Sequence, residues 1–203
     1  MRFVKIAASI LVVIAAASIT YAQNPLARTN ELVALFKQVK KAEKGKSLSS
    51  AEQKANDAIY KQLDDFYDFD TIASEPLKPH KNKLTPAQQA KILPNFKELI
   101  RLVAYPQSGG FLQGANYKIK AGPTANETQM DANAPEKDFE TTVIFRWQKQ
   151  KNTWRIIDVS FDGASLIQDY KNQFGRIIKK EGGEGLIKKL EKRLDKERKK
   201  QGK

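Results

Sequence analysis

The chain reads as an α+β protein: a curved antiparallel sheet of about four strands, with helices packed against it from both the N-terminal and C-terminal sides. Three observations carry that reading. From Phe139, alternate residues are Phe139, Thr141, Val143, Phe145 and Trp147, and between them lie Glu140, Thr142, Ile144, Arg146 and Gln148. A period of two with one apolar and one mostly polar face is the pattern of a half-buried strand. After a connector without apolar residues, Gln148 to Thr153, a second run places Ile157, Val159 and Phe161 on one face and Trp154, Ile156, Asp158 and Ser160 on the other, which predicts a hairpin. Past Gly163 the period changes: Leu166, Ile167, Tyr170, Phe174, Ile177 and Ile178 recur at three and four, as one stripe of a helix. An apolar sheet face and an apolar helix stripe joined by a short link must cover each other or some other apolar surface.

The rest of the chain supplies the partners. Met1 to Ala22 has the layout of a cleaved export signal: Arg2 and Lys5, a small and apolar run from Ile6 to Ala17 broken only by Ser9, and small residues at Ala22 and Thr20. That run is shorter than the ~20 residues of a spanning helix, so a membrane anchor is the weaker reading. Pro25 to Glu43 is expected to be a helix with Leu32, Leu35, Phe36 and Val39 on one face, ended by Gly45. Ser50 and Gln53 have capping-box spacing, and the helix behind them carries Ala55, Ile59, Leu63 and Phe66. Glu75 to Lys83, with two prolines, reads as a loop in which His80 is a solvated surface residue. Thr85, Pro86 and Gln88 open a further helix whose broad stripe is Ile92, Leu93, Phe96, Leu99, Ile100 and Val103. Pro94 should kink or split it.

Pro106 to Gly114 reads as a mobile turn presenting Phe111 and Leu112. Tyr117, Ile119 and Ala121 mark a first strand, Glu127 to Ala132 a weak second one. Beyond Glu181, glycines at 182, 183 and 185 break the C-terminal helix, and Leu186, Ile187, Leu190 and Leu194 form a last narrow stripe in an otherwise charged tail. That tail is expected to be a solvated face with a frayed end; the sharper reading makes it an electrostatic contact for an acidic protein or an anionic membrane. The expected organisation is therefore an export signal over 1–22 and one domain over 23–203. Its helical part runs over about 25–104, its sheet over about 116–161 and its C-terminal helices over about 164–200.

Composition excludes much chemistry. The 203 residues contain no Cys and one His, so there is no disulfide, thiol nucleophile or thiolate metal site. The formal charge is +13, or +11 once Arg2 and Lys5 are removed with the leader, which favours anionic partners. An exported basic protein rarely meets nucleic acid and often meets membrane surfaces. No phosphate-loop pattern is present. Ser165 has no His in a recognisable pattern. Asp64 and Asp68 share a helix face, but read as surface charge rather than as an acid–base pair. Four acids, Asp64, Asp65, Asp68 and Asp70, without calcium-loop spacing make a poor metal site.

The run from Asp158 to Ile167, DVSFDGASLI, followed by Tyr170, Gln173 and Phe174, resembles the signature of the MlaC family, the toluene-tolerance or auxiliary ABC-transport proteins. The preceding FRWQKQKNTWRIIDV is similar to that family's penultimate hairpin. Asp68 and Phe69 with Ile72 and Ala73, and Leu84 to Gln88 followed by Phe96, are weaker matches in the right order. The resemblance runs from about Leu26 to about Leu194. Two stretches depart from it: the short Pro-rich segment after Ala73, and Tyr105 to Gly110.

The resemblance implies an NTF2-like sheet with several helices and a monomer that holds phospholipid as its ligand, without a cofactor, metal or catalytic residue. It also implies shuttling between an outer-membrane lipoprotein complex and an inner-membrane ABC transporter complex, in the periplasm. The expected pocket wall is Phe96, Leu99 and Val103 from the long helix, Phe111 from the turn, and Tyr117, Phe139, Val143 and Phe145 from the first and third strands. Ile157, Val159 and Phe161 of the fourth strand and Leu166 and Tyr170 of the following helix complete it. Two rivals remain open. One is an envelope interaction module with a solid core, acting through its basic C-terminal helix. The other is an NTF2-like enzyme, for which Asp158 and Tyr117 are the candidates.

Overall fold

The computed structural model describes residues 24–41 and 47–201, and the expected export signal and the helix stop at Gly45 lie outside these described residues. Helix α1 (Pro25–Phe36) begins with Asn24, whose side chain accepts the Ala27 amide at 2.8 Å. It stops earlier than the apolar pattern suggests. Residues 37–41 leave the helix, and Val39 is buried against the far end of α4.

Helix α2 (Ser50–Asp64) has its capping box one residue upstream of the expected one, at Ser49 and Glu52. Asn56 on its buried face holds the Lys40 backbone by both amide and carbonyl, at 2.7 and 2.9 Å, tying α2 to the exit of α1. Helix α3 (Phe69–Ser74) follows, capped by Asp68.

Glu75–Lys83 is not an open loop but a run of 3₁₀ turns. His80 is half-buried rather than solvated. A Cβ built on Gly175 would lie 2.8 Å from His80 Nε2, so the absence of a side chain at 175 lets this segment close on the C-terminal helix. Two polar runs far apart in sequence cover each other here, which no local pattern announces.

Helix α4 (Pro86–Leu112) starts at the expected box, Thr85 with Gln88. It then runs through both Pro94 and Pro106 as one element. The expected mobile turn after Pro106 is its last two turns. Tertiary contact overrides the helix-breaking composition: a Cβ on Gly109 would lie 2.7 Å from Val39 Cβ and 3.0 Å from the Phe36 carbonyl oxygen, so glycine permits a close approach to the end of α1. Gln113 donates to the Val39 carbonyl across the same junction.

The sheet is a curved, open meander in the order β1 (Asn116–Ala121), β2 (Glu127–Ala134), β3 (Phe139–Gln150), β4 (Thr153–Phe161) and β5 (Ala164–Ser165), all antiparallel. The four expected strands are present, and β5 adds a two-residue rung. β2 is longer than expected, and its buried positions alternate as Thr128, Met130, Ala132 and Ala134. The β4–β5 turn has Asp162 at φ 49° and Gly163 at φ 85°, the double positive φ of a tight hairpin turn.

The expected face of β4 needs correction. The register shifts between Arg146 and Trp147, so Arg146 faces Asp158 but Trp147 faces Ile156. Ile157 is the extra residue of a bulge. Ile156, fully buried, takes the inward position assigned to Ile157.

Helix α5 (Leu166–Lys200) leaves β5 with Ser165 as its cap, and at Gly182 its backbone turns non-helical, φ 68° and ψ −172°. This is the expected break. The second half is docked rather than frayed. It packs along α4, burying Leu186, Ile187, Leu190 and Leu194. Arg198 grips Glu98 with two hydrogen bonds, 3.0 and 2.7 Å, and Gln201 donates to the Leu102 carbonyl at 2.7 Å. One buried apolar cluster runs through helices and sheet.

An apolar cavity between the long helix and the sheet

The side chains of α4 at positions 100, 103, 104, 107, 108 and 111 form an unbroken stripe at helical spacing. All six line a cavity of about 510 Å³ against the inner face of the sheet. Met130, Val143 and Phe161 occupy one rung across β2, β3 and β4 and form its floor. Phe139, Thr141 and Phe145 extend that floor along β3. Val33 and Phe36 of α1 with Tyr67 wall one flank, and Leu166 and Tyr170 of α5 another. The wall is apolar except at Gln107, Ser108, Thr141 and Asp162. Thr141 and Asp162 satisfy each other: the Thr141 hydroxyl donates to Asp162 Oδ2 at 3.1 Å, while Oδ1 accepts the Thr142 amide at 2.8 Å.

The aromatic residues give this wall its shape. Phe111 meets Phe139 edge to face across the cavity wall, with centroids 5.9 Å apart. Phe139 and Phe161 are each 48% exposed, unusual for large apolar side chains, and both border the cavity. Behind Tyr170, Phe96 packs at 4.4 Å and Phe174 lies 4.9 Å from Phe96. Burial raises the phenol pKa of Tyr170 above its usual value, and does so more strongly at Tyr67. Both therefore stay neutral over any physiological pH.

Of the residues expected in the wall, Val103, Phe111, Phe139, Val143, Phe145, Phe161, Leu166 and Tyr170 come together round this cavity. The other five lie elsewhere. Phe96 and Leu99 are fully buried nearer the start of α4, with Phe96 against Tyr170, Val159 is buried beside Phe145 on the neighbouring strand, and Ile157 occupies the bulge. Tyr117 is exposed, with the Lys37 ammonium 5.3 Å from its ring centre. The reading missed Val33, Phe36, Tyr67, Ile100, Ala104, Leu112 and Met130. Ile100 and Met130 carried the right periodicity. Which apolar face met the void depended on how α1 and α4 cross the sheet.

Three of the carboxylates weighed for chemistry, Asp64, Asp68 and Asp158, are engaged in holding the fold. Asp158 is buried and accepts from the Val159 amide at 2.9 Å, the Ser165 hydroxyl at 2.7 Å and the Ile167 amide at 3.2 Å. It therefore fastens β4 to the start of α5. Asp64 accepts from Tyr105 at 2.9 Å and lies 3.1 Å from Arg101. Burial alone would raise the Asp68 carboxyl pKa. The Thr71 amide and hydroxyl and the Gln150 amide outweigh that and hold it below its usual value. Tyr117 lines the shallow hollow beside β1, and Asp158 lines neither that hollow nor the apolar cavity. Among the described residues, no cluster of three or more His, Asp or Glu could hold a metal, and no helix is long and apolar enough to cross a membrane.

Comparison with known proteins places this geometry. The family model described as "MlaC protein" matches residues 28–192. A solved structure of a phospholipid-binding protein from Ralstonia solanacearum, in complex with a phospholipid, superposes with a TM-score of 0.61 at 21% identity, covering 84% of this chain and 94% of that one. At that identity the likeness establishes the fold, while the family match spans most of the sequence, including both the α4 stripe and the β3–β4–α5 unit. The chain belongs to the MlaC protein family.

Proposed function

We propose that this protein is a phospholipid carrier that holds acyl chain in the cavity between α4 and the sheet, leaving the head group outside. The observation that carries the reading is the cavity itself: about 510 Å³ with an almost wholly apolar wall, in a member of this family. An apolar cavity of ~150 Å³ accommodates one benzene, so each carbon takes ~25 Å³. On that scale 510 Å³ holds about 20 carbons, one full-length acyl chain. Each methylene withdrawn from water contributes ~0.8 kcal/mol, so a 16-carbon chain gains roughly 12 kcal/mol inside. That gain is what free diffusion between membranes lacks. The phospholipid held by the Ralstonia protein supports the choice of ligand.

The cycle we infer is periplasmic, after removal of the leader, between an outer-membrane lipoprotein complex and an inner-membrane ABC transporter complex. No bond is made or broken. Direction comes from partners that bind the loaded and empty forms with different affinity. Purified protein extracted with organic solvent should yield stoichiometric phospholipid by mass spectrometry, and delipidated protein should reload from vesicles. Protein that neither carries nor takes up lipid would defeat the reading.

A further inference from the structure

The cavity is not isolated. Gln107 and Phe111, one turn apart on α4, line it on one side and on the other line a second cleft of about 450 Å³. This cleft lies where the exit of α1, helix α2, the end of α4 and the end of α5 meet. Its wall differs in kind from that of the first. It combines Leu48, Tyr60 and Pro106 with the amides Gln53 and Asn56 and with three lysines, Lys40, Lys41 and Lys200. Asp57 also lines it but already has an interaction of its own. Lys200 also reaches Glu197 at 2.8 Å. Hydrogen bonds from Ser49 hold the Glu52 carboxyl pKa below its usual value, and Lys40 lies near enough to add to that. All three lysines are exposed.

The fold anchors the chain that carries these lysines. Asn56 fixes the Lys40 backbone from both sides, the Lys41 stem lies against Gly110, and Gln201 next to Lys200 is bonded to the Leu102 carbonyl. The rim on the sheet side has the opposite charge. There Asp162 borders the cavity and shares a shallow hollow with Asp131, Glu140 and one cation, Lys118. A phosphate leaving the tail cavity on that side meets three carboxylates and one ammonium, and one leaving past Phe111 meets three ammonium groups and one carboxylate.

We infer that the cleft beyond Phe111 seats the phosphate of the carried lipid, with Lys40, Lys41 and Lys200 as its cations and Gln107 and Phe111 as the sill over which tail passes to head. The inference rests on the carrier reading and adds the position of the head group and the sign of its charge. Recognition is electrostatic and shallow. It favours any phosphodiester over an uncharged polar head and does not select the alcohol beyond it.

The test compares two single-chain probes with the same 16-carbon tail, a lysophosphatidylglycerol and a monoacylglycerol, on the delipidated full-length protein. Three exposed cation–phosphate contacts combine to a preference of roughly ten- to hundredfold for the phosphate-bearing probe. The triple variant Lys40→Gln, Lys41→Gln, Lys200→Gln should lose that preference and keep its affinity for monoacylglycerol. These lysines are exposed, so the variant should fold, which an unchanged Tm verifies. Equal binding of the two probes by the wild type, or a preference that survives the triple substitution, overturns the inference. So does a gain in phosphate preference on Glu140→Lys, which would put the head group on the sheet side. Displacement of the lysolipid by equimolar inorganic phosphate would make the cleft a free-anion site and overturn it too. If the wild type takes up neither probe, the carrier reading itself fails, a result distinct from all of these.

Discussion

Shortening the cavity should convert chain length into affinity. Val143 lies at the centre of the cavity floor, 3% exposed, between Phe145 and Thr141 on the inward face of β3. Val143→Trp adds seven heavy atoms, which at ~25 Å³ per atom removes about 175 Å³ of the 510 Å³ and leaves room for about 13 carbons. A strand tolerates the aromatic residue well. A 12-carbon lysophospholipid should then bind as before. A 16-carbon one has about three methylenes displaced into water, a loss of ~2.4 kcal/mol or roughly 60-fold. An 18-carbon one has about five displaced, ~4 kcal/mol or close to 1,000-fold. Displacement of a fluorescent acyl probe from delipidated protein measures all three, with circular dichroism and Tm confirming the fold. Two results would refute the reasoning: an 18-carbon affinity unchanged in a folded variant, or an equal loss at every length. The first places the tail elsewhere, and the second means the variant disrupts binding without filling the inner end.

Three further predictions follow from the packing. Gly109→Ala should lower stability by about 1–3 kcal/mol, or several degrees in Tm, because its Cβ meets both the Val39 side chain and the Phe36 carbonyl; a mobile turn at this position would instead gain from alanine. Leu194→Ala should cost about 2–5 kcal/mol in denaturant unfolding, since Leu194 is 1% exposed under the docked second half of α5; a loss under 0.5 kcal/mol would mean that half does not pack on α4. Asp68 has a folded pKa below its unfolded value, so its contribution is complete at neutral pH and is lost as pH falls through the depressed folded value. The stability difference between wild type and Asp68→Asn should therefore shrink on acidification. A difference that stays constant or grows contradicts the assignment.

Much of the fold was legible because it rests on local periodicity and local chemistry. The alternation from Phe139 to Trp147, the Thr85–Gln88 box and the three–four spacing after Gly163 each report one element's own backbone, and each element is where its pattern places it. The misreadings came where long-range contact overrode local preference. Pro106 to Leu112 looked like a turn because glycine and proline weaken a helix. Gly109 instead serves the approach of α1, and the helix persists. His80 looked solvated because its neighbours in sequence are polar, yet Gly175, 95 positions on, makes room for it. Ile157 looked inward because strict alternation cannot contain a bulge, and the bulge is a property of the β3–β4 pair.

The candidate site divides along the same line. Eight wall residues could be named from the sequence because an apolar strand face and an apolar helix stripe announce themselves residue by residue. The missing wall from α1, Tyr67 and Met130, and the lysine cleft past Phe111, could not be. They exist only where three or four segments distant in the chain converge. The sequence by itself determined most of the elements and their apolar faces and that the usual catalytic residue types are scarce, since each follows from spacing and composition. The tertiary structure decided which of those faces meet tightly and which stay apart around a void. A void is defined by the relative placement of elements, and no single stretch of chain encodes that.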